Sequence, residues 1–526
     1  MAGGIVLAFA LGACGSSDGD SGDDSSGADT TESAGDDTAT DDTVASGDAD
    51  GSIVVGSTNG FPQLNPVIRT FAYEETLFPL LWTSLTQASE DGAIVPQLAE
   101  SWTTNDDATE WTFTLVDGAT FSDGSPIDAT EVKKALDYYL DPETVTQERN
   151  KIDSIESVDA PDAKTVVFNM NRPNALLPES ITWVKIIKVD ALDDINTSPV
   201  TSGPFVVEDF SPDTSLTITR NDSYWGEPAG LATIEFTAAA DPTAAVTALR
   251  NGDIDILWGT PLSDVGGIED QSQLQIVRPE VPSQAVTWEL DVSSPPFDNE
   301  LARQAINYAV DRETILQAAY FGQGEVSTTN NILADSNPAH ASGLIEYSYD
   351  LEKAADLFEQ AGMTEGTKLT WWGRAGARPE WDASGQILQA SLAEIGIELV
   401  IDNNETAVWV DAFYPAGKSF PDYVVPNVQS VPAEPAFSMN FLLSGRCECN
   451  WNNAEFDALY EEAIATVDPA ERNEIWAQAR MLENEQAPLI TPLQVAPVAG
   501  ANADLMGVWM EGGGQIHLEN ASIAQS

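Results

Sequence analysis

From Trp111 to Leu115 the chain alternates large apolar residues with Thr, the period-two pattern of a half-buried strand. Lys164–Met170 repeats that texture, and Phe205–Val207 with Leu216–Ile218 reads as a strand pair. Gly51–Val55 begins the first strand of the body. Between these runs Asp117-Gly118 and Asp123-Gly124 mark turns. Asp128, with Glu131 three residues on, reads as a helix start, and that helix runs through Leu136 and Tyr139 to Asp141-Pro142. Further along, Asp241-Pro242 gives an N-cap followed by Pro at the first helical position, and Asn251-Gly252 ends the helix. Strands are expected at Ile254–Leu257 and Val286–Leu290. Helices follow at Leu301–Ala309, after Asp311, and after Asp350, where Leu351, Ala354, Ala355 and Phe358 share one face. Leu369–Trp372, helix Ser384–Ile395 and Ile397–Ile401 make a βαβ rhythm. Two more helices, Ala454–Ala465 and Glu471–Glu485, precede a strand-like end over Pro488–Val498. Strands and helices alternate with no repeat of 20–50 residues, which argues against solenoids and propellers and for mixed α/β lobes.

The first 51 residues have another character. Residues up to Cys14 are apolar but too few to span a bilayer, which takes roughly 20; they have the length of a signal-peptide apolar region ending in small residues. Beyond Cys14, residues 15–51 are almost only Gly, Ser, Ala, Thr and Asp, with no basic residue before Arg69. Such a segment has nothing to bury and is expected to be a disordered acidic tether. Leu11-Gly12-Ala13-Cys14 resembles the lipobox of bacterial lipoproteins. The resemblance implies a signal peptide over 1–14, lipidation at Cys14 and an extracytoplasmic protein held to the membrane through that lipid alone. The missing basic residues ahead of Leu7 leave open a start upstream of Met1.

Composition narrows the partners. The chain has 526 residues, 85 acidic against 22 basic, and a formal net charge of −63. Nucleic acid is excluded, because phosphate binding requires Lys and Arg to release counterions. Three cysteines and two histidines make a zinc site an unfavoured reading. Cys447 and Cys449 are expected to form a disulfide outside the cell, with two free or metal-binding thiols as the alternative. No motif of nucleophile and base, and no HExxH, points to an enzyme, and no cofactor is expected.

Several segments then occur in order: LAESWTTNDDATEWTFTLVDGATFSDGSPIDATEV, TSGPFVVEDFSPDTSLTITRNDSYWG, ALRNGDIDIL, PPFDNELARQAINYAVDRETIL, YDLEKAADLFEQAG and EFDALYEEAIATVDPAERNEIWAQA. Together, over Gly51 to about Pro497, they resemble the family 5 extracytoplasmic solute-binding proteins of ABC importers, of peptide, nickel and oligosaccharide type. The resemblance implies a two-lobed periplasmic-binding-protein-like α/β fold of class II type. Lobe I would comprise 52–85, 191–285 and 486–526, an inserted subdomain 86–190, and lobe II 286–485. It also implies a monomeric receptor that closes about a hinge on a peptide or other small-molecule ligand and hands it to an ABC permease. The candidate ligand contacts are Asn59, Trp258, Trp288, Glu289, Trp372, Arg374, Asn427 and Gln429. In the loop Asp422–Pro435, oligopeptide receptors of this family carry a Trp-x-x-Asp pattern whose Asp holds the peptide ammonium. Here Val428 and Val431 stand in those places, so a standard N-terminal clamp is not expected. The other readings are a non-peptide ligand such as an oligosaccharide or metal chelate and, more remotely, a carboxylate-dependent hydrolase or an envelope adhesin.

Overall fold

The computed structural model describes residues 51–524 apart from 59, 69–72, 240, 281–282, 377, 414–417 and 432–433; Cys14, the leader, the tether and Asn59 therefore lie outside the described residues. Two large sheets organise the body. The first has seven strands, in the order Leu274–Val277, Ala499–Asn502, Ile256–Trp258, Ser52–Ser57, Thr233–Ala238, Ser215–Arg220 and Phe205–Ser211. Ser52–Ser57 is parallel to both neighbours, and the strand pair expected around Phe205 and Leu216 is an antiparallel hairpin at its edge. The second has six strands, in the order Glu325–Val326, Leu489–Val495, Gln284–Leu290, Tyr423–Ser430, Lys368–Arg374 and Glu398–Asn404. Its last two strands are parallel and joined by helix Pro379–Glu394, the βαβ unit expected from the sequence. A four-stranded antiparallel sheet, built from Ala99–Thr104, Glu110–Leu115, Ile155–Asp159 and Thr165–Met170, shares the core of the seven-stranded sheet.

Local chemistry explains the helix ends. The Asp128 carboxylate accepts from the backbone N–H of Thr130 and Glu131, at 2.9 and 3.1 Å, and starts helix Ala129–Leu140. Asp241 does the same for Pro242–Asn251, which ends at Gly252 with φ +75°, a left-handed conformation that costs a glycine nothing. Asp468 caps Pro469–Gln486, the longest helix among the described residues.

One assignment from the sequence is corrected. Leu489–Val495, expected in lobe I with the rest of 486–526, is a strand of the six-stranded sheet, paired with Gln284–Leu290. All seven of its residues are buried, so it needs cover on both faces, and only an interior sheet position supplies that. The chain crosses to the seven-stranded sheet immediately afterwards, at Ala499–Asn502.

Candidate functional site

Among the described residues, a cavity of about 1000 Å³ lies where segments of the inserted region, of the crossing between the two sheets and of the second lobe meet. One wall is the turn Leu177–Trp183. Its course is fixed from behind: Thr86 Oγ1 donates to Pro178 O at 2.6 Å, and Ser84 Oγ and Lys185 Nζ both donate to Thr182 O, at 2.8 and 2.9 Å. Thr182 Oγ1 closes the turn on Glu179 O at 2.8 Å. The turn thereby presents Glu179 and Trp183 to the cavity. The neighbouring short helix Arg149–Ile152 supplies Lys151, whose Nζ sits 3.5 Å from the centre of the Trp183 ring and pairs with Glu148.

The opposite wall comes from Glu434 and helix Pro435–Met439 with the turn after it. Phe437 stacks parallel on Trp183, centroids 5.9 Å apart with planes at 7°. Glu434 is held from both sides: one oxygen accepts from Trp476 Nε1 at 3.0 Å, the other from Arg472 at 3.2 Å. Burial raises its pKa, and Arg472 opposes that rise. A third wall is the hairpin Trp509–Met510 / Ile516–His517, which carries Glu511. Trp509 stacks flat on His517 at 3.7 Å. The imidazole lies between Glu511 (3.5 Å) and Glu519 (3.3 Å). Burial alone would lower the His517 pKa, but these two carboxylates outweigh it and push it up to about 9. Gly512 admits Ser283 against the backbone, since a Cβ there would lie 2.7 Å from Ser283 Cβ.

The walls touch one another. Ala175 N–H donates to Ile464 O at 2.7 Å, and Asp153 receives Arg172 at 2.6 Å and Arg446 at 3.1 Å. Arg172 also reaches Glu461 at 3.8 Å.

None of the described sequence candidates lines this cavity. Trp288 is fully buried, edge-on to Trp371 at 5.0 Å, in the core of the six-stranded sheet. Its strand is buried from Ala285 through Leu290 because neighbouring elements cover both faces, so adjacent side chains need not divide into core and cleft. Trp372 packs with Trp409, Phe413, Phe420 and Val425 in a separate apolar cluster. Arg374 lies over the rings of Trp381 and Trp409, at 5.4 and 5.3 Å, a cation–π arrangement. Asn427 and Gln429 are buried within strand Tyr423–Ser430. Asn427 Oδ1 accepts from Val428 N at 2.9 Å, and Gln429 bonds to Glu289. Trp258 donates to Gly514 O at 2.9 Å and borders a separate void of about 20 Å³, room for about one water. Glu289 is buried beside the Cys447–Cys449 disulfide; one ligand atom from each of these three residues lies within 4.8 Å of the others. Burial, then Glu448, pushes the Glu289 carboxyl up to about 8.

What the sequence reading missed is the turn Leu177–Trp183 and the pair Phe437 and Phe441. The signal was present: aromatic residues close to Pro in turn-rich stretches, NALLPESITWVK and PAEPAFSMNF, where a strand core has no use for them. Of the loop Asp422–Pro435, Val431 and Glu434 do reach the cavity.

Residues 93–447 match the profile described as bacterial extracellular solute-binding proteins, family 5 Middle. The chain belongs to this family. Its members are binding proteins of transporters and not enzymes. Heme-binding protein A of Haemophilus influenzae is 26% identical over 433 residues, covering 76% of this chain and 78% of its own. The dipeptide-binding protein of Escherichia coli is 23% identical, covering 89% and 93%. Among solved structures, the ABC transporter substrate binding protein CtaP of Listeria monocytogenes superposes with a TM-score of 0.81 at 22% identity, covering 90% of this chain and all of that one. The two large sheets thus belong to the two lobes of a class II binding-protein fold, and the cavity is walled by the inserted region, the Trp509–His517 hairpin and loop segments of the second lobe.

Proposed function

We propose that this solute-binding protein captures a peptide or peptide-like solute in the 1000 Å³ chamber and delivers it unaltered to the membrane subunits of an ABC importer. The observation that carries the reading is the chamber itself, at the upper end of small-ligand pockets and walled by segments of both lobes. A solute resting against the stacked pair Trp183 and Phe437, which come from opposite walls, favours the closed arrangement because only there does it contact both. Relatives named for dipeptide and glutathione binding support a peptide-sized cargo. Within this reading the chain works as a monomer, Cys14 carries a lipid, residues 15–51 are the leash, and the lobes stand outside the cytoplasmic membrane.

Two experiments test this. Native mass spectrometry after incubation with a peptide pool should show retained, uncleaved solute, and X-ray scattering should show a more compact particle with it; cleavage, or no retention, argues against a receptor. Labelled fatty acid should enter the wild type and not Cys14→Ala.

A further inference from the structure

We infer that the solute carries a positive charge, an ammonium or guanidinium group, seated against the Glu179 carboxylate on the turn that also presents Trp183. This rests on the receptor reading above and names the chemistry of its cargo. Among the described residues the cavity is lined by seven carboxylates against Lys151 and Arg172. In so acidic a chain that imbalance alone decides nothing, so the pairing of each charge matters more. Lys151 is engaged by Glu148, and Arg172 by Asp153 and Glu461. Glu434 is satisfied by Arg472 and Trp476. Glu511 shares His517 with Glu519, leaving that trio one negative charge in excess.

Glu179 differs from all of these. Its carboxylate has no hydrogen-bond or ion-pair partner among the described residues, and the residue, half-buried in the turn, lines the cavity. A half-buried carboxylate without a counter-charge is poorly solvated, and an entering cation supplies one through a charge-assisted hydrogen bond. An anionic solute would add a like charge to a wall that already holds an excess. The aromatic part of the wall points the same way: the Trp183 face already holds one ammonium, that of Lys151, at 3.5 Å.

A proton stands in for the absent cation. Burial first, then Glu434 with Arg472 opposing it, then Glu511, pushes the Glu179 carboxyl up to about 8. Elsewhere on the cavity walls stand Lys151, paired with Glu148, and the His517–Glu519 pair behind Glu511. His517, pushed up to about 9, stays protonated through neutrality, and Glu519 stays ionised, its pKa lowered by His517. Cation entry at neutral pH therefore expels the Glu179 proton. Affinity for a guanidinium should rise with pH up to about 8 and level off above it, whereas affinity for a peptide α-ammonium, which itself loses its proton at about 8, should peak there and fall.

The test uses one set of short peptide sequences in three forms: free amino end with amidated carboxyl end, both ends blocked, and acetylated with a free carboxylate. Calorimetry is run at pH 7 in two buffers of different ionisation enthalpy. The expected result is preferential binding of the cationic form with release of close to one proton. Glu179→Gln should weaken it at least tenfold and abolish proton release, while Glu179→Asp, which keeps the charge, should retain release. Equal or tighter binding of the acetylated acids, or affinity within twofold in Glu179→Gln, overturns the charge inference and leaves the receptor reading standing. Binding of none of the three forms overturns the peptide reading together with it.

Discussion

Trp288 and Trp183 are the same side chain put to opposite uses. Trp288 sits on a central strand whose neighbours cover both faces, and its ring is spent on the edge of Trp371. Trp183 sits on a turn braced from behind through Thr86, Ser84 and Lys185, and its ring, stacked on Phe437 with Lys151 against it, forms part of the cavity wall. Aromatic residues on the interior strands of a sheet covered on both faces are consumed by the fold. Those on a braced turn are available to a ligand, because the bracing replaces the packing they would otherwise provide.

The contrast can be broken in order of effect. Trp288→Ala should cost about 3–5 kcal/mol of stability, read as a large drop in the urea midpoint, with solute affinity unchanged in whatever fraction remains folded. Next, stability should fall as pH rises from neutrality through about 9, as His517 loses its proton. Its folded pKa is raised above the ordinary value, so the stabilisation is complete below about 6.5 and is lost through about 9, an effect of up to roughly 3 kcal/mol. His517→Gln should flatten that part of the pH–melting curve. Trp183→Ala should reverse the pattern of Trp288→Ala: a change of under about 1 kcal/mol in stability, and a solute affinity at least tenfold weaker by calorimetry, about 1.4 kcal/mol. Smallest of all, Arg446→Gln removes one half-exposed partner of Asp153 and should change stability by less than about 1 kcal/mol, a shift of a degree or so in the melting temperature.

Legibility in the sequence followed the range of the interactions. Helices started by Asp128, Asp241, Asp311, Asp350 and Asp468 could be placed to within a residue or two because a cap and its acceptors are neighbours in the chain. Helix Pro379–Glu394 begins five residues before Ser384, since Pro379 is itself a favourable first helical residue. Helix Glu74–Leu81, which contains Pro79 and is buried throughout, gave no amphipathic signal to find. The family could be read because its motifs are ordered along the chain. The chamber could not, since Glu179, Glu434 and Glu511 are far apart in sequence and meet only once the lobes are packed.

The bridge of Arg172, Asp153, Arg446 and Glu461 across the two walls is about one-third to one-half exposed. Dissolved ions weaken such pairs, so the work of parting the lobes falls as the surroundings become saltier. Unloading should then quicken with ionic strength outside the membrane, independently of which cargo is aboard.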